Sequence, residues 1–141
     1  MSFGKILSLN TFHVKIMTNP PLKKVLIVDD ESTIRWFLKA IFVDQSFEII
    51  EATTGEEGIA QAKAIPPDII IMDYKMPDMN GWKAAREIRL FAPKIPIIGH
   101  TGYASKENLQ KGLDSGIKEI LMKPVDLEVW GEIISRHVDF N

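Results

Sequence analysis

Short apolar runs alternate with amphipathic stretches from residue 24 onward. The runs are rich in isoleucine and valine and occupy residues 24–28, 47–52, 68–72, 95–99 and 117–122. Runs of this length and composition are typical of strands that are buried on both faces of a sheet. The segments 55–64, 81–90, 105–115 and 126–138 between and after them have the apolar spacing of helices. Together with a helix that follows the first run, they predict a strand–helix unit repeated five times.

The first helix shows the pattern most clearly. Its apolar stripe consists of Ile34, Phe37, Leu38, Ile41 and Phe42. These positions recur every three or four residues, so that one face of the helix is predicted to contact the sheet. Ser32 and Thr33 are available to cap its N-terminus. Trp36 lies off the stripe, whereas Trp82 and Trp130 occupy apolar positions of later helices and are predicted core residues.

Strict alternation of buried strands and amphipathic helices predicts an α/β domain with a parallel sheet that is covered on both sides. In such domains the ligand site forms beyond the carboxyl ends of the strands, near the point where the strand order reverses. The residues that directly follow the apolar runs are therefore the candidates for function.

Polar side chains follow four of the five runs. Asp29 and Asp30 come after the first, Asp73 after the third, Thr101 shortly after the fourth and Lys123 after the fifth. Three carboxylates that meet at one sheet edge repel one another unless a cation lies between them. Oxygen ligands without sulfur or histidine favour Mg²⁺, and the lysine and the hydroxyl add the groups that phosphoryl transfer needs. The pattern thus predicts phosphoryl transfer to a carboxylate.

Four motifs match a known family. "VLIVDDE", "DIIIMDYKMPDMNG", "HTG" and "LMKP" together resemble the receiver domain of two-component response regulators, over about residues 24–139. The resemblance implies a flavodoxin-like fold, a doubly wound (βα)5 domain whose five parallel strands have the order 2-1-3-4-5. It also implies a cis peptide bond between Lys123 and Pro124.

The same resemblance assigns roles to individual residues. Asp73 would be the phosphoacceptor. Asp30 and Asp73 would bind Mg²⁺ directly, Asp29 would act largely through water, and the backbone carbonyl of Lys75 would complete the protein ligands. Lys123 would contact the acceptor and its phosphoryl group.

A few other residues bear on switching. Thr101 would turn its hydroxyl to a phosphoryl oxygen. Ile120 departs from the aromatic residue that many receivers have three positions before the lysine, which puts the usual aromatic readout in doubt. Lys75 and Tyr103 border the predicted site, and we expect them to restrict attacking water. His100 is interpreted as a partly buried strand-end residue and not as a ligand.

Composition narrows the class of protein. The net charge is −2, and beyond the first 28 residues the chain carries 13 basic and 19 acidic groups, which argues against direct nucleic-acid binding. No run approaches the roughly 20 apolar residues that cross a bilayer. The absence of cysteine excludes disulfides and thiolate metal sites and is compatible with a reducing compartment. A cytoplasmic location is therefore expected.

The N-terminal residues 1–23 differ from the rest of the chain. They lack sustained helical periodicity and end in the proline-containing linker "TNPPLKK", so we expect a mobile extension that precedes a receiver domain at 24–139.

The predicted function is that of a single-domain response regulator in two-component or phosphorelay signalling. Its phosphoryl donor would be a histidine kinase or a histidine phosphotransfer protein, and its output would be contact with a downstream target protein. No turnover of a separate substrate is expected. One alternative is a receiver-like interaction module that acts without phosphorylation. The other is a phosphohydrolase of the haloacid dehalogenase type, which would need a D-x-D motif on the first strand, where this chain has "DDE".

Overall fold

Strands and helices alternate along the whole described part of the chain, residues 22–103 and 105–140 of the computed structural model. The strands are β1 (Lys23–Val28), β2 (Phe47–Ala52), β3 (Ile69–Met72), β4 (Ile97–Thr101) and β5 (Glu119–Met122). The helices are α1 (Ser32–Asp44), α2 (Gly55–Ala64), α3 (Gly81–Phe91), α4 (Lys106–Asp114) and α5 (Leu127–His137). The predicted bounds of β2 and α2 agree with the structure, and the ends of the other predicted elements differ by at most two residues.

All neighbouring strands are parallel, and the sheet order is β2-β1-β3-β4-β5. This confirms the predicted order and the flavodoxin-like class. After β1 the chain adds β2 along one edge of β1. It then crosses back and adds β3 along the opposite edge of β1. Val28 is paired with Met72 at the carboxyl ends of β1 and β3. The residues after these two strands therefore emerge side by side at the switch point, where this fold class forms its sites.

One face of the sheet packs against α1 and α5. Alternate strand residues point to this side, as the pleat requires. The buried cluster contains Val25, Ile27, Ile69, Ile71 and Ile98 from the strands, Leu38, Ile41 and Phe42 from α1, and Trp130, Ile133 and Ile134 from α5. Fully burying one such side chain contributes roughly 1.5–3 kcal/mol. The predicted core position of Trp130 is confirmed, because its side chain is fully buried.

The opposite face packs against α2 and α3. Its buried cluster contains Leu26, Val28, Ile70, Met72 and Ile97 from the strands, Ala62 from α2, and Trp82, Ala84, Ala85 and Ile88 from α3. Trp82 is only 3% exposed, which confirms its predicted place in the core. The partly buried Ile120 packs against this cluster.

Two expectations about α1 were wrong. Phe37 is 42% exposed, because it lies at the border of the stripe whose centre packs on the sheet. The N-cap is Glu31 and not Ser32 or Thr33, and no side chain caps the helix. The backbone N–H of Glu31 donates to the Asp29 carboxylate instead, at 2.9 Å, so that the chain turns into the helix directly after the strand.

The predicted N-terminal extension lies outside the described residues up to position 21. Of its last two residues, Leu22 precedes β1 and Lys23 is the first residue of that strand. None of the described helices has both the length and the apolar character that a membrane span needs.

Candidate functional site

The ends of β1 and β3 place two acidic residues next to each other. Asp29 donates its backbone N–H to the carbonyl of Ala52 at 3.1 Å, and Asp73 donates its own to the carbonyl of Val28 at 3.0 Å. Both residues therefore continue the pairing of the sheet by one position. The sheet itself fixes where their side chains start, at the point where the strand order reverses.

The three predicted acidic residues form one cluster. Oxygen atoms of Asp29, Asp30 and Asp73 all lie within 4.8 Å of one another. Asp29 is 1% exposed and Asp73 is 5% exposed, whereas Asp30 is open to solvent. Buried carboxylates in such proximity are unfavourable unless positive charge compensates them. The cluster therefore favours a cation at this edge.

Lys123, which directly follows β5, supplies part of the compensating positive charge. Its Nζ lies 3.0 Å from the Oδ2 of Asp29 and 3.4 Å from the Oδ1 of Asp73. The backbone N–H of Lys123 donates to the carbonyl of Thr101 at 2.9 Å, which holds the strand end beside β4. The peptide bond between Lys123 and Pro124 is cis, as the resemblance implied. One ammonium thus bridges the ends of β1 and β3.

An open cavity of about 520 Å³ lies over these groups. Asp30, Asp73, Thr101 and Lys123 line it, together with Lys75, Met76, Pro77, Gly102 and Tyr103. The Nζ of Lys75 donates to the Tyr103 hydroxyl at 3.1 Å and lies 5.0 Å from the centre of its ring. These two side chains form one rim of the cavity.

Thr101 is the least exposed residue of the cavity lining. It is 1% exposed, and its Oγ1 accepts a hydrogen bond from the backbone N–H of Tyr103 at 3.0 Å. A buried hydroxyl at the cavity wall can also donate its own hydrogen to an oxygen that enters the cavity. Thr101, the predicted switching residue, therefore lies at the cavity wall, and its side chain is hydrogen-bonded to the loop that follows β4.

The loop between β3 and α3 folds back tightly against the end of β3. The backbone N–H of Tyr74 donates to Asp73 Oδ1 at 2.8 Å, and the N–H of Gly81 donates to the carbonyl of Tyr74 at 2.8 Å. Asn80 caps α3 with its side chain. A Cβ on Gly81 would lie 1.7 Å from the carbonyl oxygen of Asp73, so this close approach of the loop to β3 requires glycine at position 81.

The electrostatics of the cluster reflect the crowded carboxylates. Burial, and then the charge of Asp29, raise the pKa of Asp73 to about 6, although Lys123 and the Tyr74 N–H partly offset them. Burial lowers the pKa of Lys123, but its hydrogen bond to Asp29 and the charges of both aspartates outweigh this and raise that pKa above its ordinary value. The lysine therefore stays charged, and the Asp73 carboxylate is the group that a bound cation would help to ionise.

His100 lies beside the site without being part of it. It is 4% exposed, more deeply buried than we expected, and its ring contacts Trp130 edge-on at 5.1 Å. Burial, with the charge of Lys123, lowers its pKa to about 3. The imidazole is therefore neutral and faces α5, which agrees with its interpretation as a structural residue.

The donor set fits Mg²⁺. Three carboxylates at one site, with no sulfur ligand, are the oxygen ligands that this ion prefers. The raised pKa of Asp73 points the same way, because burial and the charge of Asp29 disfavour the ionised carboxylate, which a bound cation would stabilise. Lys75 lines the same cavity, as a backbone ligand would have to.

The burial of Asp73, together with the charge of Asp29, predicts a pH-dependent gain in stability for Asp73→Asn. In the absence of divalent cations, ionising Asp73 destabilises the fold, since its pKa is about 6 when folded and about 3.9 when unfolded. The variant removes this cost, so its unfolding free energy should exceed that of the wild type by on the order of 2–3 kcal/mol above pH 7. The gain should shrink as the pH falls through 6 toward 4. Urea unfolding with EDTA at several pH values measures it, and a gain that does not vary with pH would contradict the assigned cause.

Two residues near the site were not identified from the sequence. Glu31 lines the cavity, and its Oε1 lies 3.9 Å from the Nζ of Lys123. Arg35 donates from Nη1 to the backbone carbonyl of Asp29 at 2.8 Å and pairs with Glu51 on β2. The position of Glu31 directly after the acidic pair could have indicated its role. No sequence signal marks Arg35, because its partners are set by the packing of α1.

Comparison with known proteins agrees with this geometry. Residues 25–135 match the family described as "Response regulator receiver domain". The chain is 37% identical to the chemotaxis protein CheY of Thermotoga maritima over 72% of its own length and 86% of that protein. Its fold superposes on chemotaxis protein CheY4 of Vibrio cholerae with a TM-score of 0.78 and 31% identity, covering 83% of this chain and 99% of that one.

A further structural relative holds a metal ion. It is the receiver domain of the sensor histidine kinase PA1611 from Pseudomonas aeruginosa, with magnesium coordinated in its active-site cleft. The TM-score is 0.76 and the identity 25%, over 82% of this chain and 96% of that one. Other relatives are much longer, and the chain spans only 25% of the regulatory protein AtoC of Escherichia coli. The matched family, the strand order and the acidic cluster all agree, and the chain belongs to the response regulator receiver domain family.

Proposed function

We propose that this receiver domain acts as a switch that is phosphorylated on Asp73 in a Mg²⁺-dependent reaction. The observation that carries the proposal is the arrangement of charge at the switch point. Asp29, Asp30 and Asp73 lie within 4.8 Å of one another, and the ammonium of Lys123 lies 3.4 Å from Asp73. Positioning and neutralisation of charge supply most of the catalysis in phosphoryl transfer.

The reaction joins the Asp73 carboxylate to the phosphoryl group of a phosphohistidine. An oxygen of Asp73 bonds to phosphorus while the bond from phosphorus to the imidazole nitrogen breaks. The imidazole leaves with the electron pair of that bond and takes up a proton. Lys123 offsets the negative charge that then lies on the acceptor, and the hydroxyl of Thr101 donates a hydrogen bond to a phosphoryl oxygen.

The proposed metal ligands are Asp30, Asp73 and the backbone carbonyl of Lys75, with Asp29 acting mainly through water. A bound Mg²⁺ would neutralise the phosphoryl oxygens and the carboxylate cluster together. The donor set and the metal in the related PA1611 receiver domain support this assignment.

The proposed donor is a histidine kinase or a histidine phosphotransfer protein. Helix α1 begins three residues after Asp29 and exposes Trp36 by 69% and Phe37 by 42%, and we propose that the donor contacts these apolar side chains. We propose that the output is contact with a downstream target protein in the cytoplasm, through the region from α4 to α5. Neither nucleic-acid binding nor turnover of a separate substrate is part of the proposal.

Removing Mg²⁺ tests the proposed reaction. After incubation with acetyl phosphate and Mg²⁺, the intact mass of the chain should increase by one phosphoryl group. With EDTA in place of the metal, the gain should be lost, because the carboxylate cluster would then repel the anionic donor. Thermal unfolding in each buffer serves as the control for folding. No gain in a folded chain at saturating Mg²⁺ would contradict the proposal and would favour an interaction module that acts without phosphorylation.

The Lys75–Tyr103 rim predicts slow loss of the phosphoryl group to water. Tyr103→Ala should dephosphorylate several-fold faster, since the ring that covers one side of the cavity is removed. Tyr103→Phe should stay close to the wild type, because it keeps the ring and loses only the hydroxyl that accepts from Lys75. The decay of the phosphorylated mass after removal of acetyl phosphate measures both rates. An unchanged rate in Tyr103→Ala would count against a shielding role.

A further inference from the structure

The indole of Trp82 fills a slot between β4, α4 and β5. Two glycines open this slot. A Cβ on Gly99 would lie 2.9 Å from Cη2 of the indole, and a Cβ on Gly112 would lie 3.0 Å from its Cε2 and 2.6 Å from Cδ1 of Ile120. Helix α4 can approach β5 this closely only because position 112 has no side chain. The indole is therefore in direct contact with the elements that follow Thr101.

A chain of hydrogen bonds joins this indole to the cavity. The backbone N–H of Tyr103 donates to Thr101 Oγ1 at 3.0 Å, and Nδ2 of Asn108 donates to the carbonyl of Tyr103 at 3.3 Å. The Nε1 of Trp82 donates to both the side-chain oxygen of Asn108, at 3.1 Å, and its backbone oxygen, at 3.0 Å. The hydroxyl at the cavity wall is thus linked in three steps to a buried side chain of α3.

A second connection runs through aromatic rings. Tyr74, which directly follows the phosphoacceptor, has its ring 4.9 Å from that of Trp82 and 5.8 Å from that of Tyr103. Contacts at these distances are favourable and depend on geometry. A change at Asp73 or Thr101 can therefore reach Trp82 by two routes, one through Tyr103 and Asn108 and the other through Tyr74.

We propose that Trp82 couples the Thr101 hydroxyl to helix α4, so that phosphorylation reshapes the surface formed by Tyr103 and the first turn of α4. The inference rests on the proposed function, since it needs a phosphoryl group on Asp73. When the hydroxyl of Thr101 turns to that group, the Tyr103 N–H must follow it or lose its acceptor. Asn108 and the start of α4 then shift with Tyr103.

The buried indole makes this shift a concerted one. Trp82 is 3% exposed, and a buried N–H without an acceptor costs about 1–3 kcal/mol. If Asn108 moved alone, the indole N–H would lose its acceptors. The indole must therefore move in the slot together with Asn108. Tyr103 is 47% exposed, so this movement changes a surface that a target protein can contact. Ile120, which packs beside the indole, has no polar group that could carry such a signal.

Trp130 provides a matched control. It is fully buried as well, but it lies on the opposite face of the sheet, and its Nε1 has no hydrogen-bond partner among the described residues. Trp82→Phe and Trp130→Phe therefore make the same chemical change at nearly equal burial. Only Trp82→Phe removes the hydrogen bonds to Asn108.

The test combines intact mass with hydrogen exchange on the full chain. Wild type and both variants are incubated with Mg²⁺, with and without acetyl phosphate, and exchange is followed in peptides that cover Tyr103 to Asp114. We expect all three proteins to gain one phosphoryl group. Phosphorylation should change exchange at the start of α4 in the wild type and in Trp130→Phe, and Trp82→Phe should lose most of that change.

The remaining outcomes decide against the inference. A Trp82→Phe variant that is phosphorylated and shows the wild-type change in α4 would overturn the coupling while the proposed function stands. A wild type without a phosphoryl gain would overturn both. If Trp82→Phe does not fold, Asn108→Ala replaces it, because it removes the side-chain links to Tyr103 and Trp82. A full α4 response in that variant would equally overturn the coupling.

Discussion

Replacing Asp73 with asparagine should abolish phosphoryl transfer from acetyl phosphate. The amide has nearly the shape of the carboxylate but lacks the anionic oxygen that attacks phosphorus. It is also a weaker ligand for Mg²⁺ and a weaker partner for the Lys123 ammonium, which lies 3.4 Å from Asp73. Intact mass in saturating Mg²⁺ should show no gain in the variant, under conditions in which the wild type gains one phosphoryl group.

The matched control is Asp126→Asn. Asp126 is exposed and sits at the N-cap of α5 without a side-chain capping bond, so the same change there should leave incorporation at the wild-type level. Thermal unfolding of both variants in the Mg²⁺ buffer tests whether lost incorporation could come from unfolding. A phosphoryl gain that persists in Asp73→Asn would move the acceptor to another carboxylate, such as the exposed Asp30 of the same cluster.

Gly81→Ala should strongly destabilise the fold. The new Cβ would lie 1.7 Å from the carbonyl oxygen of Asp73 and 2.9 Å from Cγ of Met72. Neither the backbone of the turn nor the buried end of β3 can move away without breaking the bond from the Gly81 N–H to the carbonyl of Tyr74. We expect a loss of at least about 3 kcal/mol of unfolding free energy, the upper end of the range for overpacking.

Gly131→Ala is the control for this change. Gly131 lies inside α5, and apart from its chain neighbours and the nearby helix backbone, no atom of the described residues comes within 4 Å of the position of its missing Cβ. Alanine should stabilise the helix by about 0.5–1 kcal/mol, since it restricts the unfolded chain more than glycine does. Urea unfolding measures both variants. A Gly81→Ala protein as stable as the wild type would show that the turn after Asp73 is not as tightly closed as these distances indicate.

The fold was largely predictable because its signals are local. Short apolar runs and period-3.6 patterns depend on neighbouring residues, and the predicted bounds of β2 and α2 agree with the structure. The expectation that Phe37 would contact the sheet was wrong because it, too, used only local spacing. A pattern locates the face of a helix but not its border, and whether a border residue is covered depends on what packs beside it.

The candidate site was predictable at the level of residues. A parallel sheet brings the carboxyl ends of its strands to one edge, so polar residues after β1, β3, β4 and β5 had to meet there. That Lys123 and the aspartates meet at one edge was predicted from the geometry of parallel sheets, and the family resemblance gave Lys123 a contact with Asp73. Its contact with Asp29, which joins positions 94 residues apart, was not predicted. The metal ligands remain proposals, although the cluster of three carboxylates supports them.

The class of the fold, the order of its elements and the residues that end the strands could all be predicted from the sequence, because each follows from local spacing and from the geometry of parallel sheets. Two features depend on the packing of elements far apart in the chain. One is the burial of Asp73 beside Asp29, which raises its pKa, and the other is the slot opened by Gly99 and Gly112, which the indole of Trp82 enters. Burial, electrostatic repulsion and side-chain packing depend on distances between elements. Those distances are set by the register of the sheet and by the packing of helices on both of its faces.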